Sequence, residues 1–241
     1  MSRDPRYDIL FEPVKIGPVT SKNRFFQVPH CTGMGSNWPN AHAALRGQRA
    51  EGGWGVVCTE EVMIHPTSDE LPVSSMRLWD DSDIPDFALA VEKVHEHGAL
   101  FGVELAHGGL SRANLTSRIA PLAPSHQANK YATLPQARGM DLYDIAEFRR
   151  WHSEAAKRAV KAGADIVYVY CAHNIALPMH FLLPRYNRRN DAYGGKLENR
   201  VRLLRELLED TREAIGDKAA LALRFAVDER MGADGLQWQE E

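Results

Sequence analysis

One pattern recurs four times along the chain and constrains its fold more than any other: an amphipathic helix, a glycine-containing stop, then a short apolar run. Glu51-Gly52-Gly53 precedes Trp54 to Thr59, His97-Gly98 precedes Ala99 to Leu105, Ala162-Gly163 precedes Ala164 to Tyr170, and Ile215-Gly216 leads through a turn into Ala219 to Phe225. Glycine just past a helix end suits the left-handed cap position, and near-continuous apolar runs mark strands covered on both faces. The spacing predicts a helix capped by Asp141, with an apolar face of Ile145, Phe148, His152, Ala155, Ala159 and Ala162. A second stripe runs through Leu197, Val201, Leu204, Leu208, Thr211 and Ile215, and a shorter helix from Pro85 to His97 presents Phe87, Val91 and Val94. Asn23 to Val28 reads as the first strand, after a hairpin around Ile16-Gly17-Pro18-Val19.

The order is therefore a strand followed by four helix–strand units, which implies a parallel sheet with right-handed crossovers. An open doubly wound sheet and part of a (β/α)8 barrel both fit. The open dinucleotide fold wants G-x-G-x-x-G after its first strand. Here that place holds Thr32-Gly33-Met34-Gly35-Ser36-Asn37-Trp38, without the third glycine, so the barrel is favoured. A TIM barrel takes about 250 residues or more. This chain spends 241 on five strands, so residues 1–241 are expected to be the N-terminal part of such a barrel. Two open strand edges would make the piece aggregation-prone or dependent on further sequence.

Composition excludes some classes of partner. A net charge of −3 with no local Lys/Arg block offers no footprint for nucleic acid, and no apolar run approaches the ~20 residues that span a bilayer. The polar start, Met1-Ser2-Arg3-Asp4-Pro5-Arg6-Tyr7-Asp8, lacks the apolar core of a signal peptide, and a cytoplasmic location is expected. The three cysteines, Cys31, Cys58 and Cys171, form neither a disulfide framework nor a structural zinc pattern. Cys58 and Cys171 belong to apolar runs and read as core residues. Cys31 sits in a Gly-rich polar stretch where packing alone does not explain it.

In a barrel, chemistry gathers where strands end. Those ends read Pro29-His30-Cys31, Thr59-Glu60-Glu61, Glu104 to His107, Tyr170-Cys171-Ala172-His173 and Arg224 to Asp228. Five strand ends carrying His, Cys, Glu, Tyr and Arg point to a shared active site. Adjacent Glu60 and Glu61 should face opposite ways if strand geometry persists, leaving at most one on the site. Tyr170 and His173 are spaced to form a hydrogen-bonded pair suited to proton handling. Arg224 ends an apolar strand and needs an anionic partner, either a protein carboxylate or an electron-rich cofactor. His42, His65, His95, His126 and His152 read as surface or structural histidines. His30, Cys31, Glu60, His107 and His173 could converge, but no H-x-x-x-H pair supports a metal.

Three segments carry a resemblance to a known family. Asn23-Arg24-Phe25-Phe26-Gln27-Val28-Pro29-His30-Cys31 with Thr32-Gly33-Met34-Gly35 resembles the flavin-attachment segment of the trimethylamine, dimethylamine and histamine dehydrogenases, the amine-oxidising branch of the old yellow enzyme superfamily. Asp165-Ile166-Val167-Tyr168-Val169-Tyr170-Cys171-Ala172-His173 resembles their fourth strand and Tyr/His segment. The run from Phe181 to Arg189, with Asp191-Ala192-Tyr193-Gly194-Gly195 and Leu197-Glu198-Asn199-Arg200, is similar to the signature of the whole superfamily.

The resemblance implies FMN as cofactor, held covalently by Cys31 through flavin C6, with Pro29, His30, Glu104 and Arg224 around the ring. Glu104 would meet the pyrimidine edge, and Arg224 would stabilise negative charge there. Tyr170 and His173 would be the amine-site pair, completed in the family by an Asp from a later strand. The implied reaction oxidises a C–H bond beside an amine nitrogen, and the iminium product hydrolyses. Family members also carry a [4Fe–4S] cluster and a C-terminal nucleotide-binding region. Four cluster cysteines are not found among these residues. An electron-transfer flavoprotein-like acceptor and a homo-oligomer are expected for the full-length form.

Glu61 stands where the trimethylamine enzyme has a Tyr of its aromatic bowl. Together with Cys58 to Val62 and Arg77 to Asp81, it shifts the expected substrate towards N-methylated amino acids, as in dimethylglycine-type N-demethylases. Two alternatives remain: an NAD(P)H-dependent ene-reductase or dienoyl-CoA reductase of the same superfamily, and an inactive truncated fragment.

Overall fold

The computed structural model describes residues 4–68, 75–112, 114–128 and 136–237. Its spine is a parallel sheet of five main strands: β1 (Phe26–Gln27), β2 (Val56–Met63), β3 (Leu100–Ala106), β4 (Ile166–Cys171) and β5 (Ala220–Phe225). They lie side by side in chain order, each parallel to the next. This is a parallel half-barrel. The helices α1 (Pro39–Glu51), α2 (Ile84–His95), α3 (Leu142–Lys161), a short α4 (Leu177–Leu182) and α5 (Arg202–Ile215) make the crossovers. The predicted stops hold: Gly53, Gly98, Gly163 and Gly216 all have positive φ, a conformation that other residues adopt only at a cost.

Packing explains why the runs become buried strands. Val57, Phe101, Val103, Val167 and Val169 turn towards the helices and join one large core with Phe87, Val94, Ile145, Phe148, Leu203 and Leu207. The alternate positions Val56, Cys58, Ile166, Tyr168 and Ala220 form a separate inner cluster. The predicted hairpin, Val14–Ile16 with Val19–Ser21, plugs the lower end of that cluster through Ile16 and Val19. α3 begins with the predicted cap, as Asp141 and Asp144 exchange backbone hydrogen bonds in a capping box.

Several elements differ from the sequence expectation, among them β2, which runs four residues past Thr59 to Met63, and the unanticipated α4. The first strand shrinks to two residues, because the Asn23 side chain accepts from the Phe25 amide at 3.0 Å and Pro29 has no N–H to donate. Met76–Arg77 takes up the rest of the β2 edge, pairing with Val62 and Met63. The stripe beginning at Leu197 is interrupted: a single turn, Leu197–Arg200, precedes α5. Between β3 and α3 the chain adds a small three-stranded sheet of Leu122–Ala123, Gln127–Ala128 and Gln136–Gly139, which the helix–strand rhythm did not anticipate. No described helix is long and apolar enough to cross a membrane.

Candidate active site

The carboxyl ends of β1, β3, β4 and β5 bring charged groups together. The Arg224 guanidinium of β5 donates through Nη1 to both Glu104 oxygens, at 3.1 and 3.2 Å, and to the Pro29 carbonyl at 3.3 Å. The partner required by Arg224 is thus the carboxylate of Glu104, which is fully buried on β3. Burial pushes the Glu104 carboxyl up to about 7, against the opposing pull of Arg224. Arg224 also lies over the Tyr170 ring, 5.7 Å from its centroid.

Tyr170, buried at the end of β4, shares a 2.7 Å hydrogen bond between its hydroxyl and Nδ1 of His173. His173 and Asn174 follow the strand with φ of +57° and +54°, a tight left-handed turn that folds the imidazole back onto the tyrosine. Burial, then the Glu61 and Glu104 carboxylates, hold the Tyr170 phenol well above its ordinary range. Burial and Arg224 hold His173 below its own. The pair therefore rests as neutral phenol and neutral imidazole near pH 7.

Cys31 and His30 are exposed on the loop after β1, and Pro29 is buried beside them. His30 donates its amide to Thr59 at 3.0 Å, and its carbonyl accepts from Arg46 Nη2 at 2.7 Å. The Cys31 thiol is raised by burial of its sulfur and by the Glu61, Glu60 and Glu104 carboxylates, against a hydrogen bond from the Glu61 backbone.

Glu60 and Glu61 do not divide as strand alternation predicts. The β2–β3 register shifts between Cys58 and Glu61, a bulge that inserts a residue and lets two neighbours bear on the same side. Glu60 accepts from the Thr32 amide and hydroxyl and from the Gly35 amide. Glu61 forms a buried ion pair with Arg112. Arg112 thus offsets the Glu61 charge within the protein itself.

Arg112 and Arg46 escaped the sequence reading. Each had a signal: Arg112 follows a Gly-rich strand end, and Arg46 sits on the buried stripe of α1 one turn from His42. Several other histidines have structural partners. His107 and Thr67 are 3.0 Å apart, His152 contacts Thr211 at 3.2 Å, His65 stacks on Trp151, and His95 pairs with Asp165. Cys58 and Cys171 are fully buried. Among the described residues, no three His, Cys, Asp or Glu side chains are grouped to hold a metal.

Two clefts meet at Arg224. One, of about 460 Å³, is lined by Ala172, His173, Asn174, Met179, Phe225 and Asp228. The other, of about 470 Å³, runs past Phe26, Pro29, His30, Arg46 and Trp54. Each is within the range of small-molecule sites.

Residues 9–240 match the NADH:flavin oxidoreductase / NADH oxidase family. The chain belongs to this family. Dimethylamine dehydrogenase of Hyphomicrobium sp. (strain x) is 42% identical over 247 residues, a match covering 100% of this chain and 33% of that protein. The 6-hydroxypseudooxynicotine amine oxidase of Pseudomonas geniculata N1 superposes with a TM-score of 0.93 at 55% identity, over 96% of this chain and 35% of that one. The old yellow enzyme homologue of Zymomonas mobilis superposes at 0.82 with 27% identity, over 95% of this chain and 66% of that one. The half-barrel is thus of the old yellow enzyme type. The chain spans about a third of the length of the two amine-oxidising relatives.

Proposed function

We propose that this chain supplies the first five strands of an FMN-dependent amine dehydrogenase, which oxidises a C–H bond beside the nitrogen of an N-methylated amine and attaches its flavin through Cys31. The observation that carries this reading is the contact of two pairs at adjacent strand ends, Tyr170–His173 and Arg224–Glu104. Likeness to a dimethylamine dehydrogenase and an amine oxidase supports it.

The polar groups suit the cofactor. The Arg224 guanidinium could donate to a carbonyl of a cyclic imide, and the Glu104 carboxylate beside it could accept from the imide N–H. FMN held here would supply a two-electron acceptor for a hydride from the substrate carbon, and Arg224 would be the cation stabilising negative charge on it. The neutral His173 imidazole can take, relayed through the Tyr170 hydroxyl that hydrogen-bonds it, the proton that an alkylammonium must lose before its lone pair assists C–H cleavage. Water then converts the iminium into formaldehyde and the demethylated amine. Cys31 would be the residue that holds the flavin through a thioether.

Formaldehyde release tests the reading. The full-length protein with an artificial electron acceptor should demethylate at least one of dimethylamine, dimethylglycine, sarcosine and trimethylamine. Tyr170→Phe should lower kcat/KM by about 10²–10⁴-fold. No formaldehyde from any of these amines would refute N-demethylation.

A further inference from the structure

Cys31 is held between two fixed points. Upstream, both backbone groups of His30 are engaged, by Thr59 and by Arg46. Downstream, one buried side chain does the work: Glu60 Oε2 accepts from the Thr32 amide at 2.8 Å and the Thr32 hydroxyl at 3.0 Å, while Oε1 accepts from the Gly35 amide at 2.9 Å. Gly35 has φ of +49°, and a Cβ there would lie 2.8 Å from the Ser75 carbonyl oxygen, so the loop has little freedom to fold otherwise. A carboxylate with no solvent exposure is costly unless its oxygens are engaged, and here three charge-assisted hydrogen bonds go to a single loop.

We propose that Glu60 is the positioning residue of the flavin-attachment loop: its two oxygens clamp Thr32 and Gly35 and thereby aim the Cys31 sulfur. This rests on the reading that Cys31 carries the flavin. Glu60 touches neither sulfur nor cofactor, so its effect falls on the rate of attachment. A misplacement of about 1 Å in a reacting group costs about 10²-fold.

The charge of Glu60 gives the clamp a second signature. Glu60, Glu61 and Glu104 all face the thiol and raise it, whereas Arg46 on α1 and the Glu61 backbone N–H favour the thiolate. Glu60→Gln therefore separates two effects that general damage to the fold would not: the thiolate becomes easier to form, yet attachment slows.

The test uses the full-length protein as wild type, Glu60→Gln, Glu60→Asp and Cys31→Ala. Flavin retained in the acid-precipitated pellet is followed against time after FMN is added to flavin-free protein. Iodoacetamide labelling at Cys31, read on its own peptide by mass spectrometry with Cys31→Ala as the blank, is followed against pH in the same flavin-free samples; Cys58 and Cys171 are buried. Glu60→Gln should bind FMN, attach it about 100-fold more slowly, and label with a midpoint at lower pH. Glu60→Asp should attach at an intermediate rate without that downward shift. Attachment by Glu60→Gln at the wild-type rate overturns the proposal. A wild-type pellet with no flavin shows instead that Cys31 attachment itself fails, and the proposal falls with it. If Glu60→Gln does not fold, Thr32→Val decides by removing one hydroxyl contact: severalfold slower attachment is expected, and an unchanged rate overturns the clamp.

Discussion

At the scale of single residues, the site is a set of ionisable groups whose neighbours set their protonation. Glu104 has a direct consequence for stability. Its folded-state value of about 7 lies above the ordinary 4.5, so between these pH values the folded protein keeps a proton that the unfolded chain releases. Stability should therefore fall as pH rises from about 4.5 to 7, by an amount on the order of 3 kcal/mol. Glu104→Gln should flatten that slope, read by urea denaturation at a series of pH values; an unchanged slope would show that Glu104 is not its source. Much of this scale was legible in sequence. Tyr170, His173 and Arg224 stood at strand ends with chemistry that packing does not require. Glu61 was harder, because its partner Arg112 lies 51 residues away in a loop with no periodicity to place it. A buried charge can be read from sequence, but its neutralising partner often cannot.

At the scale of elements, periodicity did most of the work and local side-chain competition set its limits. β3, β4 and β5 begin and end within a residue or two of their apolar runs, because helices cover one face and the inner cluster the other. β1 is cut short where Asn23 and Pro29 take away ladder hydrogen bonds. The β2 bulge was invisible, since no residue type in Cys58-Thr59-Glu60-Glu61 demands one, yet it is what brings both glutamates to bear on the site. α3 provides a clean test of the capping argument. Asp141→Ala removes the side chain that accepts the Asp144 amide at 2.8 Å and should cost about 1 kcal/mol. Thermal unfolding of the full-length protein should show the expected loss as a lower Tm; no change would mean that α3 is held by packing alone.

At the scale of the whole molecule, five parallel strands form one wall of a barrel, and Leu223, Phe225 and Val227 lie exposed along and beyond the outermost strand. The wall explains why the groups converge: parallel strands all end on the same side, so Pro29, Glu104, Tyr170 and Arg224 meet although they are far apart in sequence. Fold and family were legible from the strand rhythm and the segment motifs; which molecule the site oxidises depends on clefts whose lining extends beyond any one motif. The most direct test of the account is to mix the full-length flavoprotein anaerobically with an N-methylated amine and, separately, with NADPH, following the yellow colour of the oxidised flavin. The amine should bleach the flavin rapidly, and more slowly in Tyr170→Phe. Bleaching by NADPH but by none of dimethylamine, dimethylglycine, sarcosine or trimethylamine would contradict the proposed amine oxidation.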